Sequence, residues 1–145
     1  MRRRAEITDE MLSVLPQLWS GEPVQHDGAH LHVDAHLRPP TVQQPHPPVW
    51  IGCLWPNAKA MERAKRFNGI APINADGGAL DVAAFAAMVE AFGAVPDGFD
   101  FVASQGTGAT AAEYEAVGAT WFVHSAWPAG TWLDDLERTA SSPPP

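Results

Sequence analysis

From residue 49 onward, short apolar runs alternate four times with longer stretches of helical period. This rhythm confines the chain to a parallel α/β sheet, because parallel neighbours need a crossover and a helix supplies it. The expected strands cover 49–52, 69–73, 99–103 and 120–123. The expected helices cover 57–67, 80–92, 111–117 and 131–139. The second helix is the best supported: Leu80, Ala84, Phe85, Met88 and Val89 recur at helical spacing. The strands are short and apolar throughout, as strands covered on both faces are. Four βα units make half of an eightfold barrel. The expected fold is therefore a (β/α)4 half-barrel.

A helix and a hairpin precede this rhythm. Ile7, Met11, Leu12, Leu15, Leu18 and Trp19 share one face of a helix over 6–19, with Thr8 or Asp9 as its cap. Pro16 falls inside the pattern and is expected to kink or restart the helix. Ser20-Gly21 ends it. Residues 23–34 alternate around Asp27-Gly28, a hairpin signal. Residues 35–48 hold five prolines and read as an extended connector. A single domain is expected over 1–140, with 141–145 as a frayed tail.

Composition narrows the function. The 145 residues carry a net charge of −8, which argues against nucleic acid as the main partner. The only basic cluster, Arg2-Arg3-Arg4, is too short to be an electrostatic footprint. No apolar run approaches the ~20 residues that cross a bilayer. The arginines lead into Ala5-Glu6-Ile7-Thr8-Asp9-Glu10 and not into an apolar segment, so no signal peptide is expected. With Cys53 as the single cysteine, an intrachain disulfide is excluded and a cytoplasmic location is the expectation.

The densest chemistry lies at Val49-Trp50-Ile51-Gly52-Cys53-Leu54-Trp55-Pro56-Asn57. It reads as a buried strand, a sharp glycine turn at Gly52 and the start of a helix. A turn that opens a helix presents free N–H groups and the positive end of the dipole, where α/β proteins hold phosphates. The competing reading is a tight turn such as every βα unit needs. No full set of catalytic side chains surrounds the turn, and no catalytic residue is assigned.

The motifs Leu18-Trp19-Ser20-Gly21-Glu22-Pro23, Gly28 with His30, the run from Pro40 to Asn57, the run from Arg63 to Pro72, and Val117-Gly118-Ala119-Thr120-Trp121 follow one another in an order that resembles the luciferase-like monooxygenases. The resemblance spans residues 5–137. It implies a partial TIM barrel and an oxidoreductase using a flavin (FMN) or the deazaflavin F420, acting on a small-molecule substrate. It implies that Gly52, Cys53, Trp55 and Pro56 hold the phosphate end of the cofactor. Members often carry Gly-Gly where this chain has Gly52-Cys53. They are usually about twice as long, so the chain matches the C-terminal half of the barrel. That implies self-association or a partner chain supplying the other half. The alternative is a catalytically silent fragment that binds a partner or a phosphorylated ligand.

Other constellations have bland counterparts. His124 and Asn74 each follow a strand in the sense of a barrel mouth and are the expected substrate contacts; helix-capping loop residues, like the neighbouring Asp76, are the competing reading. His26, His30, His32 and His36 fit a metal site only if the hairpin gathers them, and a polar hairpin face is the expectation, with no metal. Cys53 near a helix start has no histidine beside it in sequence to act as a base. The six tryptophans read as large fillers at element ends; the alternative sets Trp55 and Trp127 around a flat aromatic ligand.

Overall fold

The computed structural model describes residues 2–106, 108–124 and 132–141. The chain divides into two compact units, residues 1–47 and 48–145.

The first unit holds α1 (Arg2–Trp19), β1 (Pro23–Asp27) and β2 (His32–His36). α1 starts four residues earlier than the periodicity predicts, so Thr8 and Asp9 lie inside it and do not cap it. Thr8 instead donates its hydroxyl back to the Arg4 carbonyl at 2.8 Å, the usual outlet for a hydroxyl within a helix. Pro16 does not restart the helix, which runs on to Trp19. One rung is lost, and the Gln17 amide donates to the Ser13 carbonyl at 2.9 Å across the same turn. Gly21 then takes φ +79, and a Cβ there would stand 2.8 Å from the Pro40 ring. Only glycine meets both demands.

β1 and β2 pair antiparallel from Pro23↔His36 to Asp27↔His32. The hairpin is not the two-residue Asp27-Gly28 turn the sequence predicts. Residues 28–31 form the connection, with Gly28 N–H donating to the Leu31 carbonyl at 2.9 Å. The cause is Glu10 of α1. Its carboxylate accepts from His30 N–H (2.9 Å), Leu31 N–H (3.1 Å) and His26 Nε2 (2.9 Å). A longer loop frees those donors to meet it. Gly28 makes room: a Cβ there would lie 1.7 Å from Glu10 Oε1.

These contacts depress the Glu10 pKa, the His26 hydrogen bond most of all, against the opposing effect of burial and with help from the two backbone donors. The folded value lies below the unfolded one. The latch therefore contributes fully above the ordinary glutamate range and is lost as pH falls through the depressed value. Amide exchange, corrected for intrinsic rates, is expected to show protection at His30 and Leu31 fading on acidification, with Glu10→Gln removing most of that pH dependence. Protection that stays flat down to strongly acidic pH would show that the carboxylate does not hold the loop.

The second unit alternates strand and helix: β3 (Trp50–Leu54), α2 (Ala58–Ala64), β4 (Gly69–Ile73), α3 (Val82–Phe92), β5 (Asp100–Ser104), α4 (Ala111–Glu115), β6 (Trp121–Val123) and α5 (Trp132–Ser141). The four strands form one parallel sheet in the order β3-β4-β5-β6. The α/β class and the parallel sheet are as the rhythm predicts, and β4 has the predicted bounds. Caps explain most boundary shifts. Asp81 accepts from Ala84 N–H at 2.7 Å and starts α3 two residues later than predicted. α2 gives way after Ala64 to tighter bonds, Arg66 N–H to Arg63 and Phe67 N–H to Ala64, and so ends before the predicted Phe67. Thr110 and Glu113 form a capping box on α4, which stops at Glu115, short of the predicted Val117. Of the predicted tail, Ser141 closes α5, and 142–145 lie outside the described residues.

Helices cover one face of this sheet. Ile51, Cys53, Ile70, Pro72, Phe101 and Ala103 are buried there. They meet α2 through Ala60, Met61 and Ala64, and α3 through Phe85, Met88 and Phe92. Phe92 stacks edge-on to Phe101 at 5.4 Å, and Phe85 meets Tyr114 of α4 at 5.5 Å. The Tyr114 hydroxyl donates to the Leu80 carbonyl at 2.5 Å, satisfying the one polar atom of a buried ring. The opposite face is different. Leu54 and Trp121 are 50% and 53% exposed, Val123 is exposed, and Ile73 is half-buried. Val102 of β5 is nevertheless buried on this face, so the expectation of strands covered on both faces is met in full on the helix side and only around Val102 on the other.

The N-terminal ends of the strands are tied on this second face. Asp100 accepts from Trp50 Nε1 (2.9 Å), Trp121 Nε1 (3.0 Å) and Thr120 Oγ1 (3.1 Å). The two indoles lie 5.4 Å apart. Gly69, paired to both Trp50 and Asp100, provides the gap that Trp50 crosses. Farther along, β4 and β5 pair only through their first two residues.

Candidate functional site

The C-terminal ends of the four strands carry Trp55, Asn74, Gln105 and His124. β3 runs two residues past the predicted turn. Gly52 and Cys53 therefore lie within the strand, paired to Ala71 and Pro72, and are not turn residues. Gly52 has no positive φ and continues the strand, so the sharp turn expected there lies farther on. The connection itself is Trp55-Pro56-Asn57, with a cis peptide before Pro56. Trp55 N–H donates to the Ile73 carbonyl at 2.9 Å, which fixes the exit of β3 against β4. Asn57 caps α2, its Oδ1 accepting from Ala60 N–H at 3.3 Å.

Alternation along β3 sends Gly52 and Cys53 to opposite faces. Gly52 stands on the face without helices, and a Cβ built there meets nothing within 4 Å. Cys53 is 3% exposed on the helix side. Burial pushes its thiol pKa up, against a weak hydrogen bond to the Asn57 carbonyl, so the group stays a thiol and not a nucleophile. Cys53→Gly, which would restore a Gly-Gly pair, would empty a buried position.

Asn74 organises its own loop. Its Nδ2 donates to the Ala79 carbonyl at 3.1 Å, and its Oδ1 accepts from Gly78 N–H (3.0 Å) and Asp76 N–H (3.2 Å). Asp76 in turn accepts from Gly78 N–H at 2.9 Å. His124 follows β6 with Nδ1 3.2 Å from Gln105 Oε1. It lies edge-on to Phe122, with ring centroids 5.0 Å apart. Asn74 and His124 thus sit at the same end of the sheet on strands separated by β5, while Gln105, which the sequence did not single out, meets His124. The predicted strand 99–103 puts Ser104 just past the strand end; β5 runs to Ser104 and makes Gln105 the first residue past it. Trp127 lies outside the described residues.

The hairpin histidines go to separate partners. His26 binds Glu10, His30 lies 3.7 Å from Glu6, His32 binds Asp27, and His36 Nε2 lies 2.8 Å from the Gly21 carbonyl and 2.7 Å from Arg38 Nε. Among the described residues, no three histidine, cysteine or carboxylate side chains are grouped to hold a metal ion. No described helix is long and apolar enough to cross a membrane. The sequence model of the luciferase-like monooxygenases matches residues 1–139.

Proposed function

The chain belongs to the luciferase-like monooxygenase family, and from that premise we propose that it serves as an oxidoreductase using FMN or the deazaflavin F420 on a small-molecule substrate in the cytoplasm. The observation that carries the reading is the open position at Gly52. It lies on an open part of the face opposite the helices, three residues before Trp55, and a side chain there would occupy the space a flat cofactor needs. A bound cofactor of this kind supplies hydride transfer or oxygen insertion. The chain's part is to hold and orient it. Gly52 offers close backbone approach, Cys53 contributes backbone alone, and Trp55 and Pro56 flank the phosphate end beside the first turn of α2. His124 and Asn74, at the same end of the sheet as Trp55, are the substrate-side residues, His124 from its place beside Phe122 and Asn74 through the 74–79 loop it shapes.

The strictly sequential parallel order supports a partial TIM barrel over a doubly wound sheet, whose strand order reverses at a switch point. We read the exposed face as the interior side of that barrel, closed by self-association or by a partner chain. The test is titration with FMN and with F420, followed by quenching of tryptophan fluorescence. Saturable binding of one of them well below a millimolar dissociation constant, or ~4 kcal/mol, is expected. If neither binds up to about a millimolar, the silent-fragment reading replaces this one.

A further inference from the structure

Two exposed polar side chains meet at the ends of β5 and β6. His124 Nδ1 lies 3.2 Å from Gln105 Oε1. Gln105 is itself anchored, its backbone N–H donating to the Val123 carbonyl at 2.9 Å. The imidazole plane is set by Phe122, 80° to it, and Phe122 rests 5.5 Å from the buried Tyr114 ring. An amide oxygen can only accept. Facing it, Nδ1 of the neutral ring carries the proton, and Nε2 keeps its lone pair.

We infer that Gln105 is a positioning residue that locks neutral His124 in the Nδ1–H form, leaving Nε2 as a hydrogen-bond acceptor for a hydroxyl or N–H group. The role of that acceptor toward a substrate rests on the function proposed above; the locked tautomer does not.

The test is a two-bond ¹H–¹⁵N spectrum of the histidine rings in the ¹⁵N-labelled full chain without added cofactor. It is recorded about two units above the ordinary histidine pKa of about 6.5. His124 signals are assigned by their loss in His124→Asn. The expected spectrum shows a protonated Nδ1 and an unprotonated Nε2 for His124. Gln105→Leu is expected to lose that pattern, and Gln105→Glu to keep it, because a carboxylate oxygen accepts the same bond. A His124 ring protonated at Nε2 in the parent, or a tautomer unchanged in Gln105→Leu, overturns the inference. Because no cofactor is present, a failure to bind FMN or F420 leaves this result standing, and the two readings fail separately.

Discussion

Gly69→Ala is expected to cost about 3 kcal/mol of stability, the upper range for forcing a methyl into a packed site. A Cβ at this position would lie 2.6 Å from the Asp100 carbonyl oxygen, 2.7 Å from Asp100 Cβ and 2.7 Å from Trp50 Cδ1. Two of these neighbours cannot rotate away, since one is backbone and the other is a Cβ fixed to it. The methyl must therefore part β4 from β5 or lift Trp50 off Asp100. The first option breaks a ladder only two residues long. The second releases the indole N–H from its carboxylate. Urea unfolding of parent and variant measures the difference. A loss below about 1 kcal/mol, the size of an ordinary substitution, would mean that the N-terminal ends of the strands are looser than the Asp100 cluster implies.

Gly52→Val is expected to separate folding from binding. In the free chain the new side chain meets open space, and the position has ordinary extended backbone within a strand. A β-branched residue suits such a site, so stability is expected to hold or rise, by up to about 1 kcal/mol. Affinity for the flavin or deazaflavin is expected to fall by about tenfold or more, or ~1.4 kcal/mol, because the isopropyl group takes the space against which the cofactor would lie. Denaturation and fluorescence titration on the same samples give both quantities. Unchanged affinity with unchanged stability would move the cofactor away from β3. A loss of stability would instead show that the face carrying Gly52 is already filled.

Most of the second unit was legible because its signals are local. The apolar run 69–73 and the period of Phe85, Met88 and Phe92 depend on neighbours within a turn or two. The errors arose where a distant partner decides the outcome. Glu10 sets the length of the hairpin connection from a helix 20 residues away in sequence, and nothing within 23–34 announces it. Gly52 reads as a turn because a glycine between an apolar strand and a helix commonly marks one; pairing with Ala71 keeps it in the strand. Asp27-Gly28 announces a turn but not the space Gly28 must leave, and Gly69 has no local signature. Each is defined by what crosses it, the Glu10 carboxylate in one case and the Trp50 indole in the other. At the candidate site, His124 was visible as a polar residue after a strand, while the use of Gln105 depended on β5 and β6 being neighbours.

The order β3-β4-β5-β6 also bears on how this unit comes into being. Each strand joins the one that left the chain immediately before it, so no pairing has to wait for a remote segment. Loop closure is confined to one crossover at a time, and such short-range wiring favours rapid assembly. A strand–helix repeat added beyond either edge would extend the sheet without disturbing a pairing already made. Growth by accretion is thus open to this architecture, whereas a sheet whose order doubles back must reopen its middle.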